Sequence, residues 1–355
     1  MGAPGSRFAA PMGIAVADPA AGSGRLATMP TVRTILGDLD AADLGPTHAH
    51  EHLVIDGGVV VQLSPEFQLG DVDRAVAELE PAVRRGLRSI VDAMPCDIGR
   101  NVIKLAEISR RSGVNVIAAT GLHLARYYPE RHWSETASVE ELARLFAAEI
   151  TDGIDAHDYG GPLVQRTEHR AGVVKVASNR DRLSERDERL FEAAAIAHAA
   201  TGCPILTHCQ DGTAALEQVA LLTRHGVPPG SITLSHVDRV VDRGYHREIV
   251  AAGAFLEYDR AFRWQKNEPN GTLQLIEWML EDGHGDRILL GLDASRQTYW
   301  TTYGGWPGWA YLLGPFSERM AERGIDGAAR HRLFVDNPAT ALSFVEARGP
   351  GVTGP

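Results

Sequence analysis

The sequence predicts a parallel (β/α)8 barrel, or TIM barrel, preceded by a short N-terminal hairpin. Eight short apolar runs alternate with helical patterns along the chain, an order typical of parallel α/β folds. The apolar runs lack the polar alternation of half-exposed strands, so both faces of the predicted sheet are expected to be covered. An open doubly wound sheet is the alternative, but no predicted strand is followed by a glycine-rich nucleotide-binding loop. The barrel is therefore favoured.

The predicted elements follow one another regularly. A short strand at 32–36, ending before Gly37, predicts the hairpin ahead of the barrel. The eight barrel strands are predicted at Thr47–Ile55, Ser89–Ala93, Val114–Ala119, Gly172–Ala177, Pro204–His208, Ile232–His236, Ala254–Tyr258 and Ile288–Asp293. The helices are predicted at Val72–Arg85, Val102–Ser112, Val139–Ile150, Ser184–Ala200, Ala214–His225, Gly244–Ala252 and Leu273–Glu281, with two more near Trp306–Glu322 and Ala329–Ala347.

The two ends of the chain differ in composition from its middle. Residues 1–30 are rich in Ala, Gly and Pro and make a poor signal peptide, so we expect a disordered leader, with Met29 as an alternative start. Residues 31–347 contain neither a fixed repeat nor an internal linker, which predicts a single domain. The tail at 348–355 is rich in Gly and Pro and is expected to be flexible.

Composition limits the classes of partner. The 355-residue chain is 44% hydrophobic and 23% charged, with a formal net charge of −11. Nucleic acids and membrane surfaces attract basic proteins, so neither partner is expected. No apolar run approaches the length of a membrane span. The three cysteines, Cys96, Cys203 and Cys209, form no CxxC pair, which fits a reducing compartment, and we expect a cytoplasmic location.

Three alternating histidines enter the first predicted barrel strand. They are His48, His50 and His52, followed by the apolar run at 53–55. Side chains two apart on a strand point to the same face, so all three imidazoles are expected on one side. Imidazole is a good ligand for zinc and its neighbours in the transition series. The alternative is a polar strand end with histidines satisfied by water, but three histidines entering a buried strand favour a metal site.

Other residues with metal-binding or acid–base chemistry stand at the ends of further predicted strands, which face the active site in barrels of this kind. The fourth strand contains Lys175, the fifth ends in His208, the sixth in His236 and the eighth in Asp293. Lysine is almost never fully buried without a partner. Lys175 is therefore expected to reach solvent, to pair with a carboxylate or to carry a modification.

These motifs resemble those of the phosphotriesterase family of the amidohydrolase superfamily. The resemblance covers nearly the whole chain, from Val32 to Val345. The motifs that carry it are THAHEHL at 47–53, NVIAATGL at 115–122, RAGVVKVA at 170–177, TGCP at 201–204 with Thr207 and His208, LSH at 234–236, and LD at 292–293.

The resemblance implies a binuclear metal centre and a metal-dependent hydrolase over residues 31–347. Zinc is the expected metal, with manganese or cobalt as alternatives. Lys175, carboxylated by carbon dioxide, would bridge the two metals together with a hydroxide, and Asp293 would be the catalytic base. The implied metal ligands are His50, His52 and Asp293 for one ion, His208 and His236 for the other, and Lys175 for both.

His48 leaves one alternative open. Its position is usually aliphatic in the family, and its parity puts the ring on the ligand face, one layer deeper. The site would then use His48 and His50, although Glu51 and Leu53 favour the pair His50 and His52.

The loops after the seventh and eighth predicted strands are expected to select the substrate. They are basic in an acidic protein, and the arginine fork suits carboxylate or phosphate. The loop after the eighth strand resembles that of the phosphotriesterase-homology and phospho-sugar lactonase branch of the family, so we predict hydrolysis of a lactone or carboxylic ester with an anionic or polar group. A homodimer is expected. Amidase activity on N-acyl substrates and phosphotriesterase activity are the alternative reactions, and a metal-binding scaffold is the non-enzymatic alternative. The predicted substrate-binding residues are Arg296, Tyr128, Asp259 and Arg260.

Overall fold

The computed structural model describes residues 1–2, 30–264 and 270–348, and eight parallel strands form its centre. Strands β1 (Thr31–Thr34) and β2 (Gly37–Asp40) form an antiparallel hairpin ahead of them. The barrel strands are β3 (Thr47–Glu51), β4 (Ser89–Asp92), β5 (Asn115–Gly121), β6 (Val173–Ser178), β7 (Ile205–Cys209), β8 (Ile232–Ser235), β9 (Phe255–Tyr258) and β10 (Ile288–Leu290). Each barrel strand is hydrogen-bonded to the next in chain order. The predicted (β/α)8 barrel with its hairpin is confirmed.

Helices cover the outside of the barrel, and polar residues cap their beginnings. Ser138 and Ser184 each open a capping box, with Glu141 and Asp187 as the reciprocal partners. Such caps satisfy backbone N–H groups that the first helical turn leaves unpaired. The helices are α1 (Val59–Leu63), α2 (Val72–Arg84), α3 (Val102–Ser112), α4 (Val139–Thr151), α5 (Glu185–Thr201), α6 (Ala215–Arg224), α7 (Arg243–Ala251), α8 (Gly271–Glu281), α9 (Ser317–Glu322), α10 (Gly327–His331) and α11 (Asn337–Ala341).

Apolar side chains fill the end of the barrel where the strands begin. Ile117, Val173 and Leu206 pack there with Val32 of the hairpin and Leu342 after the last helix. The hairpin and the C-terminal segment therefore close this end. The inward-pointing residues farther along the same strands are left at the opposite end, where the loops after the strands gather.

The predicted bounds of the two helices after the last strand are wrong. Near 306–322, regular α-helix covers only α9, because Pro315 has no N–H to donate and Gly314 has φ −108° and ψ −107°, outside the helical region. Near 329–347, a wider turn at Arg332–Asp336 separates α10 from α11. The chain beyond α11 runs back to the barrel, where Val345 N–H donates to the carbonyl of Gly202.

None of the helices within 30–264 and 270–348 combines the length and apolar character needed to cross a bilayer. The predicted leader, apart from residues 1–2 and 30, and the predicted tail beyond Arg348 lie outside the described residues. Their expected disorder and flexibility stay predictions.

Candidate metal centre

A bulge in β3 separates His48 from the two histidines that follow it. The pairing of β3 with β4 shifts between His48 and Glu51, so the two-residue alternation does not hold there. The His48 ring stacks at 6.2 Å on Trp309, which belongs to the core between strands and helices. The prediction that His48 shares the face of His50 and His52 is therefore wrong. The structure therefore does not support the alternative metal site that uses His48 and His50 as ligands.

His50, His52 and Asp293 meet at the end of the barrel where the strands finish. Nε2 of His52 lies 3.4 Å from Oδ1 of Asp293. One ligand atom from each of the three residues lies within 4.8 Å of the other two. The backbone supports this arrangement, because the Asp293 N–H donates to the His50 carbonyl at 3.0 Å and so links the chain after β10 to β3.

The other two predicted histidine ligands lie beside this group. The ring centroids of His208 and His236 are 4.5 Å apart, and those of His236 and His50 are 4.7 Å apart. All the histidines of the group line one cavity together with Asp293. The structure thus brings together four imidazoles and one carboxylate from four different strand ends.

Lys175 lies on β6 and is 1% exposed. Its amine has no hydrogen-bond partner among the residues that the structure describes. Burial lowers the pKa of Lys175 to about 8, although the charges of Glu257, Asp293 and Asp259 act in the opposite direction. A buried, unpaired amine is costly, and its neutral form is the one that reacts with carbon dioxide.

Burial also decides the protonation of the histidines. Loss of solvation lowers the pKa of His50, His208 and His236 well below the ordinary value, so these rings are neutral near pH 7. Burial raises the pKa of Asp293, but the charge of Arg263 and the contact with His52 hold the pKa of its carboxyl well below the usual range. Neutral imidazoles beside an ionised carboxylate suit divalent transition metals.

The side chains of Asp259 and Gln210 orient two of the histidine rings. Nδ1 of His236 contacts Oδ2 of Asp259, and Nε2 of His208 lies 3.0 Å from Oε1 of Gln210. Each contact occupies one ring nitrogen and leaves the other for a metal. Asp259 is fully buried and does not line the cavity. Its predicted role in substrate binding is therefore corrected, because its carboxylate is engaged with His236.

The donor set fits a divalent metal ion. Buried polar atoms are normally hydrogen-bonded. Here several of them have no such partner among the described parts of the chain: Nδ1 of His50 and of His52, Nζ of Lys175, and both carboxylate oxygens of Glu257. A metal centre would satisfy those of these atoms that face it, whereas Nδ1 of His50 and the Glu257 carboxylate lie next to each other.

A cavity of about 360 Å³ opens above these residues, and its wall is basic. The arginines that line it are Arg126, Arg239, Arg260, Arg263 and Arg296. The guanidinium of Arg260 has no hydrogen bond or ion pair within residues 30–264 and 270–348, and burial with nearby Arg239 and Arg263 lowers its pKa. Arg296 instead pairs with Glu66 and lies 4.4 Å from the ring centroid of Phe67. Lys266, a further basic residue of the loop after the seventh predicted strand, lies outside the described residues.

Tyr128 does not line the cavity, whereas Tyr127 does. The Tyr128 hydroxyl donates to the Cys96 carbonyl at 3.2 Å and accepts from the His123 N–H at 2.8 Å. The structure does not support the predicted substrate-binding role of Tyr128, because its polar atom holds two backbone segments together. The Phe and Tyr residues that line the cavity are Phe67, Tyr127 and Tyr299.

Sequence patterns missed two residues of the site, Glu257 and His123. Glu257 lies on β9, and its Oε2 is 3.4 Å from Nδ1 of His50. His123 lines the cavity, and its ring centroid is 4.7 Å from that of His208. Nδ1 of His123 accepts from the Leu124 N–H at 2.8 Å, so the neutral ring carries its hydrogen on Nε2. The available indication was its place just after the third predicted barrel strand.

Comparison with known proteins gives a consistent result. The model of the phosphotriesterase family matches residues 30–342. A phospho-furanose lactonase of Mycoplasmopsis synoviae is 32% identical over 326 residues, which cover 89% of this chain and 92% of that protein. The crystal structure of an amidohydrolase from Mycoplasma synoviae superposes with a TM-score of 0.87 at 32% identity, covering 91% and 94% of the two chains. A lactonase from Listeria monocytogenes has a TM-score of 0.82 at 27% identity, with coverage of 89% and 100%.

Proposed function

The chain belongs to the phosphotriesterase family of metal-dependent hydrolases, and from this premise we propose that it hydrolyses a lactone or carboxylic ester that carries an anionic group. One observation carries the proposal. Metal-type ligands form the floor of a cavity whose wall presents Arg260 without a carboxylate partner among the described residues. In this proposal the metal-binding residues at the bottom of the cavity supply the hydrolytic chemistry. The arginines around the cavity select a negatively charged substrate.

The residues of the floor divide into two groups and a bridge. We assign His50, His52 and Asp293 to one divalent ion, His208 and His236 to the second, and carboxylated Lys175 to both. Two such ions would lower the pKa of a shared water molecule and polarise the carbonyl of the substrate. Zinc is expected, with manganese or cobalt as alternatives. Carboxylation would convert the costly buried amine into an anion that suits two cations.

Asp293 is the proposed base. Arg263 donates to Oδ2 of Asp293 at 3.1 Å and to its backbone carbonyl at 2.9 Å, which holds the carboxylate in one orientation. In the proposed reaction the carboxylate takes a proton from the attacking water and returns it to the leaving oxygen. His123, whose Nε2 carries a hydrogen, is a candidate donor to a substrate oxygen in the cavity.

The basic wall favours a substrate with an anionic group over an uncharged one. The relative from Mycoplasmopsis synoviae is named a phospho-furanose lactonase, and a phosphate group would gain charge-assisted hydrogen bonds from an arginine such as Arg260. A neutral phosphotriester would gain nothing from this wall. An N-acyl amino acid carries a carboxylate, so the amidase alternative also fits the wall and has to be separated by experiment. A homodimer and a cytoplasmic location remain proposals.

The test combines metal analysis with a substrate panel. Protein saturated with zinc, manganese or cobalt is expected to retain about two ions per chain after removal of free metal. The panel pairs each lactone that carries phosphate or carboxylate with its uncharged analogue, and adds N-acyl amino acids and a neutral phosphotriester. We expect the highest kcat/KM for the anionic lactones.

Three results would overturn the proposal in different ways. Faster turnover of N-acyl amino acids would make the chain an amidase. A preference for the neutral phosphotriester would remove the role of the basic wall. Metal binding without turnover of any of these substrates would favour the non-catalytic scaffold.

A further inference from the structure

We propose that Glu257 is a positioning residue of the metal centre: its carboxylate accepts the Nδ1–H of His50 and thereby directs Nε2 of that ring to the metal. The inference rests on the proposed metal centre. It concerns a residue that acts through a ligand and does not touch the substrate, because Glu257 does not line the cavity.

The geometry places the two groups next to each other in a desolvated setting. Glu257 is 0% exposed and His50 is 1% exposed. Oε2 of Glu257 lies 3.4 Å from Nδ1 of His50, somewhat longer than an ordinary N–H···O hydrogen bond. Neither atom has a hydrogen-bond partner in the described part of the chain. Hydrogen bonds of this kind are often long before a site is filled and tighten when it is.

A second carboxylate near the end of β9, that of Asp259, already contacts Nδ1 of a histidine ring. Asp259 follows Glu257 by two residues, a spacing that puts both side chains on one face of an extended strand. Oδ2 of Asp259 contacts Nδ1 of His236. The rings of His236 and His50 are neighbours, with centroids 4.7 Å apart. Glu257 therefore stands to His50 as Asp259 stands to His236.

Gly291 supports the placement of Glu257 behind the His50 ring. A Cβ atom at Gly291 would lie 2.7 Å from Oε1 of Glu257 and 3.0 Å from Cβ of His50. The missing side chain thus leaves the space in which the carboxylate packs against the backbone side of the histidine. One ligand atom each of Glu257, Asp259, His50 and His236 lies within 4.8 Å of the others, so direct metal ligation by Glu257 is the alternative that the experiment separates.

A carboxylate behind a metal-binding histidine has a known physical effect. It selects the tautomer with hydrogen on Nδ1 and fixes the orientation of the ring. It also makes Nε2 a stronger ligand for the metal. Loss of such a group typically weakens metal binding by about 10- to 100-fold. The effect reaches the metal through His50, so it is measurable without any substrate.

The experiment compares two variants with a matched control. Glu257→Gln keeps the shape and one acceptor oxygen, whereas Glu257→Leu keeps bulk but has no acceptor. Glu78→Gln is the control, because Glu78 is also buried but accepts from Thr301 and Thr302, away from the metal residues. Zinc affinity is measured by competition with a chelator. We expect Leu to weaken binding by about 10- to 100-fold, Gln by less, and the control not at all.

A second readout follows the hydrogen bond itself. In protein labelled with ¹⁵N-histidine, the zinc-loaded wild type and Glu78→Gln should show a downfield Nδ1–H resonance of His50 that Glu257→Leu lacks. Equal zinc affinity in wild type, Gln and Leu, or persistence of that resonance in Leu, would overturn the inference. A loss of one zinc ion per chain in Glu257→Gln would make Glu257 a direct ligand instead. A wild-type protein that binds no metal would refute the proposed function itself.

Discussion

Nδ1 of His48 lies 3.0 Å from Oε1 of Glu51, and both side chains are fully buried. The same carboxylate accepts backbone N–H groups of Leu292 at 2.9 Å and of Ala294 at 3.1 Å. These two acceptor contacts lie on either side of Asp293. His48 and Glu51 therefore hold the backbone that presents Asp293 to the metal site, and His48 has a supporting role in place of the ligand role that its sequence position allowed.

The variant His48→Ala tests this separation of roles. We expect it to lower the free energy of unfolding by about 1–3 kcal/mol, because a buried carboxylate loses one of its hydrogen-bond donors. Zinc content should stay near that of the wild type. The matched variant His52→Ala should show the reverse, with a clear loss of zinc. Urea unfolding and metal analysis measure both effects, and a zinc loss in His48→Ala equal to that in His52→Ala would return His48 to the ligands.

Lys175→Ala tests the proposed bridge. The substitution removes the group that would be carboxylated, so we expect the variant to lose metal and activity while keeping the fold. Short carboxylic acids such as acetate or formate should restore part of both, since they can supply an anion in the vacated space. Circular dichroism serves as the fold control. Wild-type turnover by the variant without added acid would show that no bridge at position 175 is needed.

The pKa of Lys175, lowered by burial to about 8, predicts how metal-free protein is reactivated. Carboxylation needs the neutral amine, which is the minor form below this pKa and the major form above it. At a fixed concentration of dissolved carbon dioxide, the rate of activation by zinc should therefore rise about tenfold per pH unit up to about pH 8 and level off above it. The time course of recovered metal and activity measures this rate. A midpoint near the ordinary pKa of lysine would contradict the expected effect of burial.

Asp293→Asn tests the base. The amide keeps the size of the side chain, so the fold should survive. It cannot take a proton from water, and general-base groups typically contribute about 10²- to 10⁴-fold to the rate. We expect kcat to fall within that range. Because Asp293 is also a proposed ligand, the metal content of the variant has to be measured beside its kinetics. Unchanged kcat at full metal content would remove Asp293 from the proton transfer.

The two arginines predicted to bind substrate are expected to differ. Arg260 has no partner among the described residues, whereas Arg296 pairs with Glu66. Arg260→Ala should therefore raise KM about 10- to 100-fold for anionic lactones and leave their uncharged analogues unchanged, the size expected for a lost charged hydrogen bond. Arg296→Ala should show a smaller effect of the same kind. An equal loss for charged and uncharged substrates would point to a structural role for Arg260.

Some features of the site were beyond prediction for physical reasons. The alternation rule failed at His48 because the pairing of β3 with β4 shifts there, and a bulge leaves no clear mark in a short strand. Glu257 was missed because its importance depends on His50, which is distant in sequence and reaches it only when the barrel closes. The pairing of Arg296 with Glu66 joins two loops in the same way.

The amino-acid sequence by itself determined the fold class and the kinds of side chain available for catalysis. Alternating apolar runs and helical patterns are properties of short segments, and strand ends in a barrel share one rim whatever the loops do. Only the tertiary structure decided that His48 lies outside the site and that Glu257 and Asp259 lie beside the rings of His50 and His236. It also decided that Arg260 lines the cavity without an ion pair among the described residues. Those outcomes depend on contacts between distant parts of the chain, and the packing of the closed barrel selects them.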